Sequence, residues 1–148
     1  MAQTNTSMQF SNAFMKTLLR SPFQGILSAN TLIITLKGRK TGKSISTPVN
    51  YVEDGQQLII TSKPERSWWR NVRGGAEVEI QLRGHKVNGR AQVIEDPAAV
   101  AVQLGRYFGH VPQFAKYSGI RQLSDGAFDP GDIDKASHEK VIILIDLP

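Results

Sequence analysis

The stretch Thr31-Leu32-Ile33-Ile34-Thr35-Leu36-Lys37-Gly38-Arg39-Lys40-Thr41-Gly42-Lys43-Ser44-Ile45-Ser46-Thr47-Pro48-Val49-Asn50-Tyr51-Val52 decides how this chain folds. Its first six residues read as a strongly apolar strand, which runs into Lys37, Arg39, Lys40 and Lys43 spaced around Gly38 and Gly42. A phosphate-binding P-loop places G-x-x-x-x-G-K-[ST] between a strand and a helix. Here the two glycines are one residue too close, and the segment that follows is β-branched and holds Pro48, so it reads as a strand. The basic turn therefore joins two strands. It suits an anion, because glycines let backbone N–H groups converge on phosphate while Arg and Lys add charge. The plainer alternative is a solvated hairpin tip.

Charge is distributed to match an anionic partner. No Asp or Glu precedes Glu53, so residues 1–52 carry a formal +6 against −1 for the remainder, which gives the overall +5. Such a one-sided field favours a phosphorylated cofactor, a membrane surface or nucleic acid. Nucleic acid is set aside, since the cations form no long stripe and no zinc-finger, RNP1 or homeodomain pattern occurs. The length of 148 residues suits one domain that buries roughly 70% of its unfolded surface. With no cysteine, disulfides, thiolate metal sites and cysteine nucleophiles are excluded, which fits a cytoplasmic setting. No apolar run approaches the roughly 20 residues of a transmembrane helix.

Working outward, Gln9 to Arg20 repeats Phe10, Phe14, Leu18 and Leu19 at three- and four-residue steps, an amphipathic helix ended by Ser21-Pro22. It would cover the core, and its phenylalanines and cations also suit peripheral membrane contact. Asp54-Gly55 marks a hairpin into a strand from Gln57 to Ser62. Ser67 is an expected N-cap for a short helix from Trp68 to Arg73, closed by Gly74-Gly75. Glu77 to Leu82 alternates with period two and returns as Lys86 to Ile94, with Gly89 as an expected bulge. Asp96-Pro97 opens a helix, 110–118 continues helical, a further short helix spans Asp132–Ser137, and Val141 to Ile145 forms a last strand. Six strands with helices at the ends predict a mainly β, β+α fold, an antiparallel barrel with peripheral helices. The first and last strands, the most continuously apolar, are expected to be central neighbours. The organisation is a single domain over 1–148: an amphipathic helix at 1–22, core hairpins at 31–95, a helical cover at 96–138 and the final strand at 140–147.

Unaided chemistry finds no support. His85, His110 and His138 are scattered without H-x-x-x-H spacing, and neither G-x-S-x-G nor G-x-G-x-x-G occurs. Asp125, Asp129, Asp132 and Asp134 miss the EF-hand spacing and read as turn and cap residues. An enzyme built on this chain would rely on a cofactor for the hard step. Trp68 and Trp69 point about 100° apart if helical, so one can enter the core while the other walls a flat ligand, and Asn71 can hold a loop through its side chain.

Strand, G-R-K-[ST]-G turn, T-P-x-x-Y strand, D-G hairpin, S-K loop and W-[WY]-x-N helix occur in that order over Leu32–Val78. This arrangement resembles the deazaflavin-dependent nitroreductase and quinone reductase family within the flavin-binding split-barrel superfamily. The resemblance implies a six-stranded split barrel and an oxidoreductase that moves hydride from the reduced deazaflavin coenzyme F-420 to a quinone, nitro compound or other activated acceptor. It implies that Arg39, Lys40, Thr41, Gly42 and Lys43 hold the coenzyme's phosphate and acidic tail. Pro48, Val49, Asn50 and Tyr51 would lie along it, Thr61, Ser62 and Lys63 near its ring, and Trp68 and Asn71 at the closing loop. Tyr107 and Tyr117 would line the substrate pocket as proton donors, with Ser62 as a further catalytic candidate, and a homodimer is compatible. Relatives have a longer glycine-rich insertion where this chain has only Pro64-Glu65-Arg66-Ser67. The alternatives are an FMN-dependent enzyme of the same fold and a non-catalytic lipid carrier.

Overall fold

The computed structural model describes residues 31–82 and 84–148; the expected helix at 9–20 lies outside them. The strands are β1 (Thr31–Lys37), β2 (Ser44–Asp54), β3 (Gln57–Ser62), β4 (Ala76–Leu82), β5 (His85–Ile94) and β6 (Val141–Asp146). All pair antiparallel in the order β1-β2-β3-β6-β5-β4, and β4 returns to β1 to close the barrel. The split-barrel expectation of six strands with peripheral helices is met.

Alternation builds two apolar layers. Leu32, Ile34, Val49, Tyr51, Leu58, Ile60, Val78, Ile80, Ile143 and Ile145 fill the barrel interior. On the outer face, Val52, Ile59, Ile142 and Leu144 pack beneath α1 (Pro97–His110), α2 (Pro112–Tyr117) and α3 (Pro130–Ser137), through Val100, Leu104, Phe108 and Ala136. The expectation that the first and last strands are neighbours is corrected: β1 lies between β2 and β4, and β6 between β3 and β5. Continuous apolarity reports burial on both faces, which β6 has because helices cover its outer side, and carries no information on adjacency.

Gly89 is not at a bulge, since β4 and β5 pair without interruption through Val78↔Gly89. Glycine is needed there because a Cβ would lie 2.6 Å from Ile145 Cγ2 and 3.0 Å from the Asp146 carbonyl oxygen. Trp68–Val72 is a single 3-10 turn, and Ser67 precedes it without a side-chain cap, another correction. Asp96 does cap α1, accepting from the Ala99 N–H at 3.1 Å, and Asp129 caps α3 through the Asp132 N–H at 3.0 Å. Asp125 accepts from the Ala127 N–H and Asp132 pairs with Arg121, so these aspartates serve turns and caps. Arg106 fastens α1 to the β2–β3 hairpin, donating to Asp54 at 2.7 and 3.1 Å, to Gln57 at 3.0 Å and to Gln103 at 2.8 Å.

Candidate functional site

Pairing places Ile60, near the end of β3, opposite Tyr51 and so level with the start of β1, while the C-terminal end of β1 meets the N-terminal end of β2 through Lys37↔Ser44. The basic turn 38–43 stands there. It closes on itself: the Gly38 N–H donates to the Lys43 carbonyl at 2.8 Å, the Gly42 N–H to the Gly38 carbonyl at 2.8 Å, and the Lys43 N–H to Thr41 Oγ1 at 3.2 Å. Gly42 adopts φ +69°, the left-handed conformation that glycine takes without a Cβ penalty. The N–H groups of Gly38, Gly42 and Lys43 are thus occupied within the protein. Lys37, Arg39, Lys40 and Lys43 are all exposed and without an ion pair among the described residues.

The turn leans on the 3-10 helix. The Arg39 N–H donates to Asn71 Oδ1 at 3.0 Å, and Arg39 Nε donates to the Asn71 carbonyl at 3.1 Å. Asn71 Nδ2 in turn donates to the Trp68 carbonyl at 3.0 Å. Trp68 and Trp69 are both buried in the barrel core, so neither offers an open ring face. Arg70 and Arg73 place their guanidinium groups 5.5 and 5.0 Å from the Trp69 ring centre. The short Pro64–Ser67 loop delivers Arg66, whose Nη2 donates to Thr47 Oγ1 at 2.9 Å. Sequence reading passed over this contact, although a threonine at an inward strand position, as Thr47 is, signals a polar partner.

At the end of β3 successive residues face opposite ways. Ser62 is buried, with its hydroxyl donating weakly to the Lys63 carbonyl at 3.3 Å. Thr61 faces the helices; burial pushes the Tyr107 phenol up, with the nearby Thr61 hydroxyl opposing. Tyr107 is 6% exposed and meets Phe108 edge-on at 5.3 Å, whereas Tyr117 is 86% exposed. The two tyrosines therefore occupy different environments. Pro48 and Asn50 face away from the barrel interior, while Val49 and Tyr51 point into it. Asn50, opposite Thr31 and bonded to its hydroxyl at 3.1 Å, stands roughly 20 Å down the strand from Ser44.

A closed six-stranded antiparallel barrel with a helical cover and a cationic turn at one end defines the class. Among solved structures, a domain-swapped dimer superposes with a TM-score of 0.55 at 14% identity, covering 95% of this chain and 99% of its own. The FAD and haem binding protein from Mycobacterium smegmatis gives 0.54 at 13% identity, with coverage of 87% and 66%. A protein from Clostridium acetobutylicum related to general stress protein 26, of the pyridoxinephosphate oxidase family, gives 0.53 at 9% identity, with coverage of 88% and 84%. At these identities the likeness shows the fold alone. No protein of curated function matches the sequence significantly. The family model of the F-420H(2)-dependent quinone reductases matches residues 13–119, and the chain belongs to that family. Its cofactor is the deazaflavin F-420, and the exposed, unpaired cations of the turn are a donor set suited to that coenzyme's phosphate and carboxylates.

Proposed function

We propose that this chain is an oxidoreductase that reduces a quinone with reduced F-420 bound across the basic end of the barrel. The observation that carries this reading is the set of exposed Arg39, Lys40 and Lys43 on a turn that Asn71 fastens to the 3-10 helix, within the span matched by the family model. In this reading Arg39, Lys40, Thr41, Gly42 and Lys43 hold the phosphate and acidic tail by charge-assisted hydrogen bonds, each worth about 1.5–3 kcal/mol. Pro48 and Asn50 flank the coenzyme from the outer face of β2, and Val49 and Tyr51 contribute backbone only, since their side chains belong to the core. Trp68 holds its helix in the core, and Asn71 meets the turn. When bound, reduced F-420 supplies the hydride.

Tyr107 Oη, a phenol protonated at neutral pH, holds the proton that the reduced acceptor oxygen requires, with the Thr61 hydroxyl beside it. Tyr117 is free to meet the acceptor from solvent. The arrangement needs orientation and water exclusion more than a strong base. Nitro compounds form a second acceptor class within the same chemistry. Since a protein of similar fold is a domain-swapped dimer, we include a homodimer in the reading, which sedimentation of the purified chain checks.

The test follows oxidation of reduced F-420 under anaerobic conditions with a soluble naphthoquinone, with reduced FMN in parallel. Quinone-dependent oxidation of F-420 alone is expected. Turnover with FMN alone moves the chain to the flavin alternative. No turnover with either, together with copurified lipid, favours the carrier.

A further inference from the structure

We infer that Asn71 is a positioning residue for the anion site, acting on the coenzyme through Arg39 and not by touching it. The inference rests on the proposed F-420 site and assigns its internal construction. Asn71 has a carbonyl oxygen and an amide NH₂ on its side chain, and both are committed within the protein: Oδ1 accepts from the Arg39 N–H, and Nδ2 donates to the Trp68 carbonyl. Its main-chain carbonyl takes the Arg39 Nε–H. Arg39 is therefore gripped at two points by a single residue 32 positions away in sequence.

The geometry of a guanidinium makes this grip consequential. With Nε–H occupied, the remaining donors are on Nη1 and Nη2, the planar pair that meets two oxygens of a phosphate or carboxylate at once. Arg39 Nη2 lies beside Gly74, where a Cβ at 3.6 Å would make an ordinary contact; it is the φ of +86° there that suits glycine. With the N–H groups of Gly38, Arg39, Gly42 and Lys43 already occupied, a fixed Arg39 gives the turn a directional side-chain donor, while Lys37, Lys40 and Lys43 act as mobile point charges. Asn71 thus removes from binding the entropy cost of ordering the arginine, which is how a rigid contact elsewhere raises affinity.

The experiment is equilibrium binding of oxidised F-420, followed by coenzyme fluorescence, on the wild type, Arg39→Ala, Asn71→Ala and the double variant. Each is first checked by circular dichroism for retained fold. Positioning through Arg39 predicts that Asn71→Ala raises Kd about fivefold to tenfold alone and less than about twofold once Arg39 is alanine. An equal loss in both backgrounds would mean that Asn71 acts independently, and would overturn the inference while leaving the anion site standing. If Arg39→Ala leaves Kd unchanged, the site reading and the inference fail together. Since Asn71→Ala also releases the Trp68 carbonyl, Arg39→Lys provides a second test with the helix untouched. It preserves the charge but cannot make the Nε contact, so a loss of about fivefold supports the inference and wild-type affinity overturns it.

Discussion

Arg39 and Tyr107 show how little a residue's type says about its work until its partners are known. Arg39 carries the same charge as Lys40, yet it is held at two points by Asn71 while the lysine is exposed and has no ion pair among the described residues. Replacing both by alanine should weaken F-420 binding at least about tenfold, measured by fluorescence titration, while the melting temperature holds. Tyr107→Phe should lower quinone turnover by about a hundredfold with little change in F-420 affinity, since it removes a proton source and no part of the anion site. The same tyrosine makes a stability statement. Its folded pKa is raised, so the unfolded chain loses its proton first. The contribution is complete below the ordinary value of 10.0 and is lost as pH rises through the folded value. Tyr107→Phe should therefore flatten the fall of Tm above pH 10.

At the scale of elements, contacts between segments distant in sequence hold the architecture in place. The Arg106–Asp54 pair fastens α1 to the β2–β3 hairpin, and the Arg106 hydrogen bond holds the Asp54 carboxyl below its ordinary range, helped by His110. A lowered carboxyl contributes stability that is present above 3.8 and is lost as pH falls through the folded value. Asp54→Asn should accordingly lower Tm at neutral pH and reduce the further loss on acidification below pH 4, as read by thermal melts across pH. Gly89 is the other sensitive point, because β5 passes β6 too closely for a side chain. Gly89→Ala should destabilise by about 1–3 kcal/mol in urea titration, the cost of overpacking against the Ile145 side chain and the Asp146 carbonyl. Sequence patterning made this glycine visible as a special strand position but suggested a bulge. Period-two alternation shows where a side chain points, not what stands opposite.

The described residues form two apolar layers that share β2, β3 and β6, one inside the barrel and one beneath the helices. Sharing the same strands, they should unfold together as the single domain that the length suggests. Ile143→Ala, a fully buried position facing the interior, should cost about 2–5 kcal/mol. It should also shift the tryptophan-fluorescence and far-UV dichroism transitions by the same amount. Separate transitions would divide the barrel from its helical cover. Much of this was legible in local pattern: Pro48 after the basic glycine turn marked a strand, Asp54-Gly55 the hairpin, and Asp96-Pro97 the start of α1. The G-R-K-T-G turn and its charge pointed to an anion and to the family. These are short-range matters of dihedral preference, periodicity and charge, which neighbouring residues settle among themselves. Which strands adjoin, that both tryptophans are interior, that Asn71 grips Arg39 and that Thr61 meets Tyr107 were decided only by the tertiary structure. Each depends on segments far apart in the chain meeting when the barrel closes, and no local preference encodes that meeting.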